Sequence, residues 1–100
     1  MARFTRTSVP RWSSTTTSEN ITCDGSRNLI TIPANATSVI FSTSETAAIY
    51  IGVDATSTEG IIVQSAAGDL SYVYLELAAD AVLYEEGTNT HVLNVVWMYD

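Results

Sequence analysis

The chain of 100 residues has no lysine, one histidine, one cysteine, one glutamine and two prolines. Each shortage excludes something. A single cysteine, Cys23, forbids an internal disulfide, and the ordinary role of such a residue is that of a small buried hydrophobe. Cations are confined to Arg3, Arg6, Arg11 and Arg27, against eleven acids, for a net charge of −7. From Asn28 to Asp100 there is no Arg or Lys, while nine acids stand there. Such a body repels nucleic acid, because affinity for phosphate requires clustered cations that displace counterions. Long hydrophobic runs are missing too. The longest, Ala47 to Val53 and Val95 to Tyr99, fall far short of the roughly 20 residues of a membrane helix. The N-terminal arginines are not followed by the apolar segment of a secretory signal. Neither nucleic acid nor membrane is therefore expected as a partner.

Surface-helix formers are scarce, whereas Ser and Thr supply 25 of the residues and Val, Ile and Tyr are plentiful. These types suit a pleated, half-buried surface. Alternation with a period of two marks strands. Val39 and Phe41 oppose Ile40; Ile49, Ile51 and Val53 oppose Tyr50 and Gly52; Val73, Leu75 and Leu77 oppose Tyr72, Tyr74 and Glu76. Further short strands are expected over 21–23, 28–32, 61–63 and 81–84, with Asp24-Gly25 and Pro33-Ala34-Asn35 as turns. The last, His91 to Tyr99, is apolar on both sides, as an interior strand would be. A helix over Glu76 to Glu86 is also compatible with its composition, but the tyrosine alternation before it favours strand–turn–strand. About eight short strands at roughly ten-residue spacing predict an all-β fold, an antiparallel β-sandwich.

The first 18 residues read differently. Arg3, Phe4, Arg6, Pro10, Arg11 and Trp12 precede a hydroxyl run from Ser13 to Ser18, and no acid stands among them. The expected organisation is an extended N-terminal arm, 1–18, and a β-sandwich domain, 19–100. The arm is either a segment that orders against a partner, anchored by Phe4 and Trp12, or a flexible tail. A sandwich this small buries only about 60% of its unfolded surface and is marginal alone, so self-association is expected.

Candidates for chemistry are few. A nucleophilic Cys23–His91 pair needs hydrogen-bond contact and a third group to orient the imidazole. His91 instead stands at a strand start, where exposed histidines are common, and no Gly-x-Ser-x-Gly elbow occurs. One Cys and one His fall short of the ligands of a structural zinc. Asp54 with Glu59, or Asp80 with Glu85 and Glu86, are candidate loop ligands for calcium, but the EF-hand spacing is absent and such acids are ordinarily solvated. Neither glycine-rich phosphate fingerprint is present. No catalytic residue, metal or cofactor is expected. Tyr72 and Tyr74, with Tyr50, form either a subunit interface or a flat sugar-binding surface, and the interface reading is favoured because tyrosine joins an apolar ring to a polar tip.

Leu29-Ile-Thr-Ile-Pro-Ala-Asn35, then Thr37-Ser-Val-Ile-Phe41, then Ala48-Ile-Tyr-Ile-Gly-Val-Asp54 make a rhythm of strand, Pro-Ala turn and a strand ending Tyr-Ile-Gly. It resembles small β-sandwich decoration (cement) proteins of tailed-phage capsids, and Val92 to Tyr99 is similar to their closing strand. The resemblance implies a jelly-roll-like sandwich, commonly a homotrimer, that sits on the capsid surface of the virion, binds the major capsid protein and does no chemistry. On the arm, Arg3, Arg6 and Arg11 would then pair with acids of the shell while Phe4 and Trp12 fill pockets. Exposed ion pairs are worth about 0–1 kcal/mol each, so the aromatics would supply much of the affinity. The alternative is a receptor- or carbohydrate-binding module of a phage fibre or tail, using the tyrosine face.

Overall fold

The computed structural model describes residues 4–7, 15–52, 60–65 and 72–99. Nine strands lie among them: β1 (Phe4–Thr7), β2 (Thr15–Thr22), β3 (Arg27–Ile30), β4 (Ala36–Ser42), β5 (Ile49–Gly52), β6 (Ile61–Val63), β7 (Tyr72–Leu77), β8 (Leu83–Glu86) and β9 (Val92–Tyr99). They build a five-stranded sheet in the order β1-β7-β4-β9-β2 and a four-stranded sheet in the order β3-β8-β5-β6. All pairings are antiparallel. The expected all-β sandwich is thus formed, and no helix occurs among the described residues. Glu76 to Glu86 is strand, turn and strand, as the tyrosine alternation required.

The pairings nest. β2 lies on β9, β3 on β8, β4 on β7 and β5 on β6. The strands from β2 to β9 therefore pair as those of one long hairpin wound upon itself would, and the β4–β9 and β5–β8 pairings join them into two sheets. β1 is additional and pairs with β7, Phe4 opposite Leu77 and Thr7 opposite Tyr74.

Between the sheets lies the core. Val39, Phe41, Val73, Leu75, Leu93, Val95 and Trp97 from the larger sheet meet Ile30, Ile49, Ile51, Val63 and Leu83 from the smaller, with Cys23 beside them. These are the inward members of the alternating strands, and burying each such side chain contributes about 1.5–3 kcal/mol. Phe41 and Trp97 pack edge to face with ring centroids 6.2 Å apart. The Trp97 indole donates to Glu19 Oε2 on the edge strand β2 at 2.6 Å, so its polar end is satisfied. On the opposite face of the larger sheet Ile40, Tyr74 and Met98 form a second buried cluster.

The boundary expected after residue 18 falls inside β2. Thr15 to Ser18 are exposed strand, opposite Tyr99 to Val96 of β9. Hydroxyl residues without an apolar stripe form this edge because β9 supplies the backbone partners and β-branched threonine fits the pleat. Phe4 and Arg6 likewise belong to β1, in a sheet rather than in a free arm. Arg3, Arg11 and Trp12 lie outside the described residues, as do Asp54 and Glu59.

Candidate binding face

The tyrosines expected to share one surface do not. Tyr72 and Tyr74 are on β7 in the larger sheet, and Tyr50 is on β5 in the smaller. Tyr74 is 2% exposed, packed with Ile40 and Met98, whereas Tyr72 is 46% exposed. Period-two alternation put Tyr72 and Tyr74 on one face correctly. It carries no information on which strands are neighbours, and so it could not separate Tyr50 from them.

A different face is built on the smaller sheet. Arg27 of β3 is opposite Glu86 of β8, Glu86 is opposite Tyr50 of β5, and Tyr50 is opposite Ile62 of β6. One row over, Leu29 faces Tyr84, which faces Gly52. Their strand neighbours Ile30, Leu83, Ile49, Ile51 and Val63 point into the core, so these side chains point outward. Leu29 is 60% and Ile62 50% exposed. The Arg27 guanidinium lies over the Tyr84 ring, 4.5 Å from its centroid, a cation–π contact that holds the side chain across the sheet. A shallow depression of about 210 Å³, lined by Gly25, Ala48, Tyr50, Glu86, Gly87 and Thr88, adjoins this face. The alternation of Leu83-Tyr84-Glu85-Glu86 would have put Tyr84 and Glu86 on one side. Only the β3–β8 pairing, 57 residues apart for Asn28 and Glu85, brings Arg27 to them.

The inner side of the same strands holds an unusual acid. Glu85 alternates with Glu86, so it turns inward and is 2% exposed. Its Oε2 accepts from Asn28 Nδ2 at 3.2 Å, the Cys23 thiol also bonds its carboxyl, and its Oε1 has no partner. Burial raises the Glu85 carboxyl above the ordinary glutamate value, against the two side-chain hydrogen bonds, which lower it. The Cys23 thiol is pushed up to about 12, by burial first and the Glu85 charge next. A thiol held protonated is not a nucleophile. Cys23 meets His91 through the backbone, Cys23 N donating to His91 O at 2.8 Å, and the neighbouring Thr90 N donates to Cys23 O at 2.9 Å.

The calcium site considered for Asp80, Glu85 and Glu86 is not assembled. Adjacent strand residues face opposite sides of a sheet, so Glu85 points to the core and Glu86 to the surface. Among the described residues no group of three His, Cys, Asp or Glu is placed to hold a metal. Asp24, in the β2–β3 turn, binds locally: Asn28 Nδ2 and Ser26 N donate to its Oδ1 at 2.8 and 2.9 Å, and these bonds hold its carboxyl below the ordinary range. Comparison with protein-family models, curated proteins and solved structures finds no match to this chain.

Proposed function

We propose that this chain is a non-catalytic virion structural protein, a decoration or cement protein that binds the major capsid protein on the outside of a tailed-phage head and stabilises it. The observation that carries the reading is the nesting of β2/β9, β3/β8, β4/β7 and β5/β6. This nested pairing of eight strands, with β1 added at one edge, supports a jelly-roll-like order, a sandwich common in viral shell proteins. It joins the strand rhythm that resembles decoration proteins and an acidic body whose only cation beyond residue 11 is Arg27. Fold alone does not specify function, and the site chemistry adds weight, because its best-formed feature is an exposed face. Residues 1–18 dock the shell from the β1 edge of the larger sheet, with Arg3, Arg6 and Arg11 paired to shell acids and Phe4 and Trp12 as apolar anchors. Co-sedimentation with undecorated capsids tests it. The R3E/R6E/R11E variant, which retains the backbone of β1, is expected to lose binding; undiminished binding refutes the docking role, and no binding by the parent chain refutes the capsid reading.

One observation favours the second reading, a receptor- or carbohydrate-binding module. Tyr50, Tyr84 and Arg27 stand beside a shallow depression on one face, and jelly rolls also serve as lectins. A glycan-array signal abolished by Tyr50→Ala or Tyr84→Ala would establish this reading in place of the first.

A further inference from the structure

We infer that the outer face of the β3-β8-β5-β6 sheet is the contact between two copies of this chain, packed face to face about a two-fold axis. The inference rests on the reading above and places self-association on a two-fold contact, in place of the homotrimer that the resemblance implies.

The argument starts from charge. A body with nine acids and no Arg or Lys from Asn28 onward repels its own copies wherever acids meet acids. On this face one cation and one anion, Arg27 and Glu86, stand opposite each other on paired strands. Arg27 is turned onto the Tyr84 ring, and no ion pair among the described residues uses either charge. A face bearing one charge of each sign is complementary to itself. An isologous contact places residue i against j and j against i, so a two-fold axis running between β3 and β8 sets Arg27 of each copy against Glu86 of the other. Leu29 and Tyr84, opposite each other on the same two strands, fall in the same contact. Leu29 is the most exposed large hydrophobic described, at 60%. Tyr belongs, with Arg, to the types that dominate interface energies.

Size sets the strength. β3 and β6 are the outer strands of a four-stranded sheet, and three spacings of about 4.8 Å make the face roughly 14 Å across. Strands of three or four residues, at about 3.3 Å each, make it about as long as it is wide, well below the roughly 800 Å² per partner of a standard interface, so association is weak and reversible. On a particle, many copies held side by side would supply the effective concentration that a weak contact needs.

The test is a charge exchange followed by sedimentation equilibrium. The parent chain is expected to show a concentration-dependent dimer. In R27E each copy would set Glu against Glu86, and in E86R Arg against Arg27, so either variant alone should dimerise at least tenfold more weakly, a loss of about 1.4 kcal/mol or more. An equimolar mixture of R27E and E86R restores both pairs in a heterodimer and should recover the parent's association. Circular dichroism of each variant checks that the sheet is intact. A parent chain monomeric at millimolar concentration overturns the inference, as does a mixture that fails to recover. A trimer unaffected by either variant also overturns it, while leaving the particle-surface reading, tested separately by capsid binding, in place.

Discussion

Replacing Glu85 by Gln should stabilise the protein at pH 8 and do almost nothing at pH 4. The side chain is 2% exposed, Asn28 Nδ2 donates to its Oε2 at 3.2 Å, and Oε1 has no partner. Glutamine keeps the shape and retains an oxygen for the Asn28 and Cys23 donors. Below the ordinary glutamate value of 4.5 both side chains are neutral, and their stabilities should nearly coincide. Burial raises the folded-state pKa of Glu85 above that of the unfolded chain. Its contribution is therefore fully present below the unfolded value and is lost as pH rises through the folded one. At pH 8 the parent must either hold a proton the solvent would remove or bury a carboxylate with one unsatisfied oxygen. The latter costs about 1–3 kcal/mol. For a domain of this size each kcal/mol moves the melting temperature by roughly 4–8 °C. Thermal melts of both proteins from pH 4 to pH 8 measure the difference, and subtracting one curve from the other removes the contribution of every other acid. A difference that stays constant with pH, or a Gln variant less stable than the parent at pH 8, refutes the reasoning.

Two further predictions concern the same corner of the sandwich. A Cβ on Gly87 would stand 2.7 Å from Cys23 Sγ and 3.0 Å from Ile49 Cγ1, so Gly87→Ala should destabilise by about 1–3 kcal/mol through overpacking; urea unfolding measures it, and the loss should shrink in the background of Cys23→Ala. The thiol of Cys23, buried and raised to about 12, should resist iodoacetamide at pH 8 in the folded protein and react when urea unfolds it; rapid labelling without denaturant would contradict the burial.

The alternating strands were legible because a half-buried sheet repeats every two residues, and β4, β5, β7 and β9 each sort into the faces that periodicity assigns. Two kinds of information were not. Thr15 to Ser18 carry no apolar signal, since both faces of that edge are exposed; their strand character comes from β9 beside them. The outer face of the smaller sheet depends on register between distant strands. Nothing local to Arg27 indicates Tyr84, and nothing local to Tyr50 indicates Glu86 on one side and Ile62 on the other. The sequence makes Glu85 a loop acid, a candidate calcium ligand or ordinary solvated charge. Its place at the second inward position of β8, after Leu83, overrides that expectation.

The register of β3 on β8 also explains why a buried acid and an exposed cation coexist so close together. Asn28, not Arg27, lies opposite Glu85. A slip of β3 by one residue would bring Arg27 to Glu85, but it would turn Ile30, now 3% exposed, outward and Leu29, now 60% exposed, inward. The exchange of Ile for Leu is close to neutral in burial, so hydrophobicity alone does not choose between the registers. The slipped form, however, would bury a guanidinium and a carboxylate together, and the desolvation of two charges offsets much of their attraction. It would also strip Asp24 of the Asn28 and Ser26 hydrogen bonds that fix the preceding turn. The native register keeps a neutral amide against the acid in the core and leaves the arginine on the surface, over the Tyr84 ring. The same choice that makes Glu85 sensitive to pH therefore places the one positive charge of this sheet on its outer face, beside Glu86 and Tyr84.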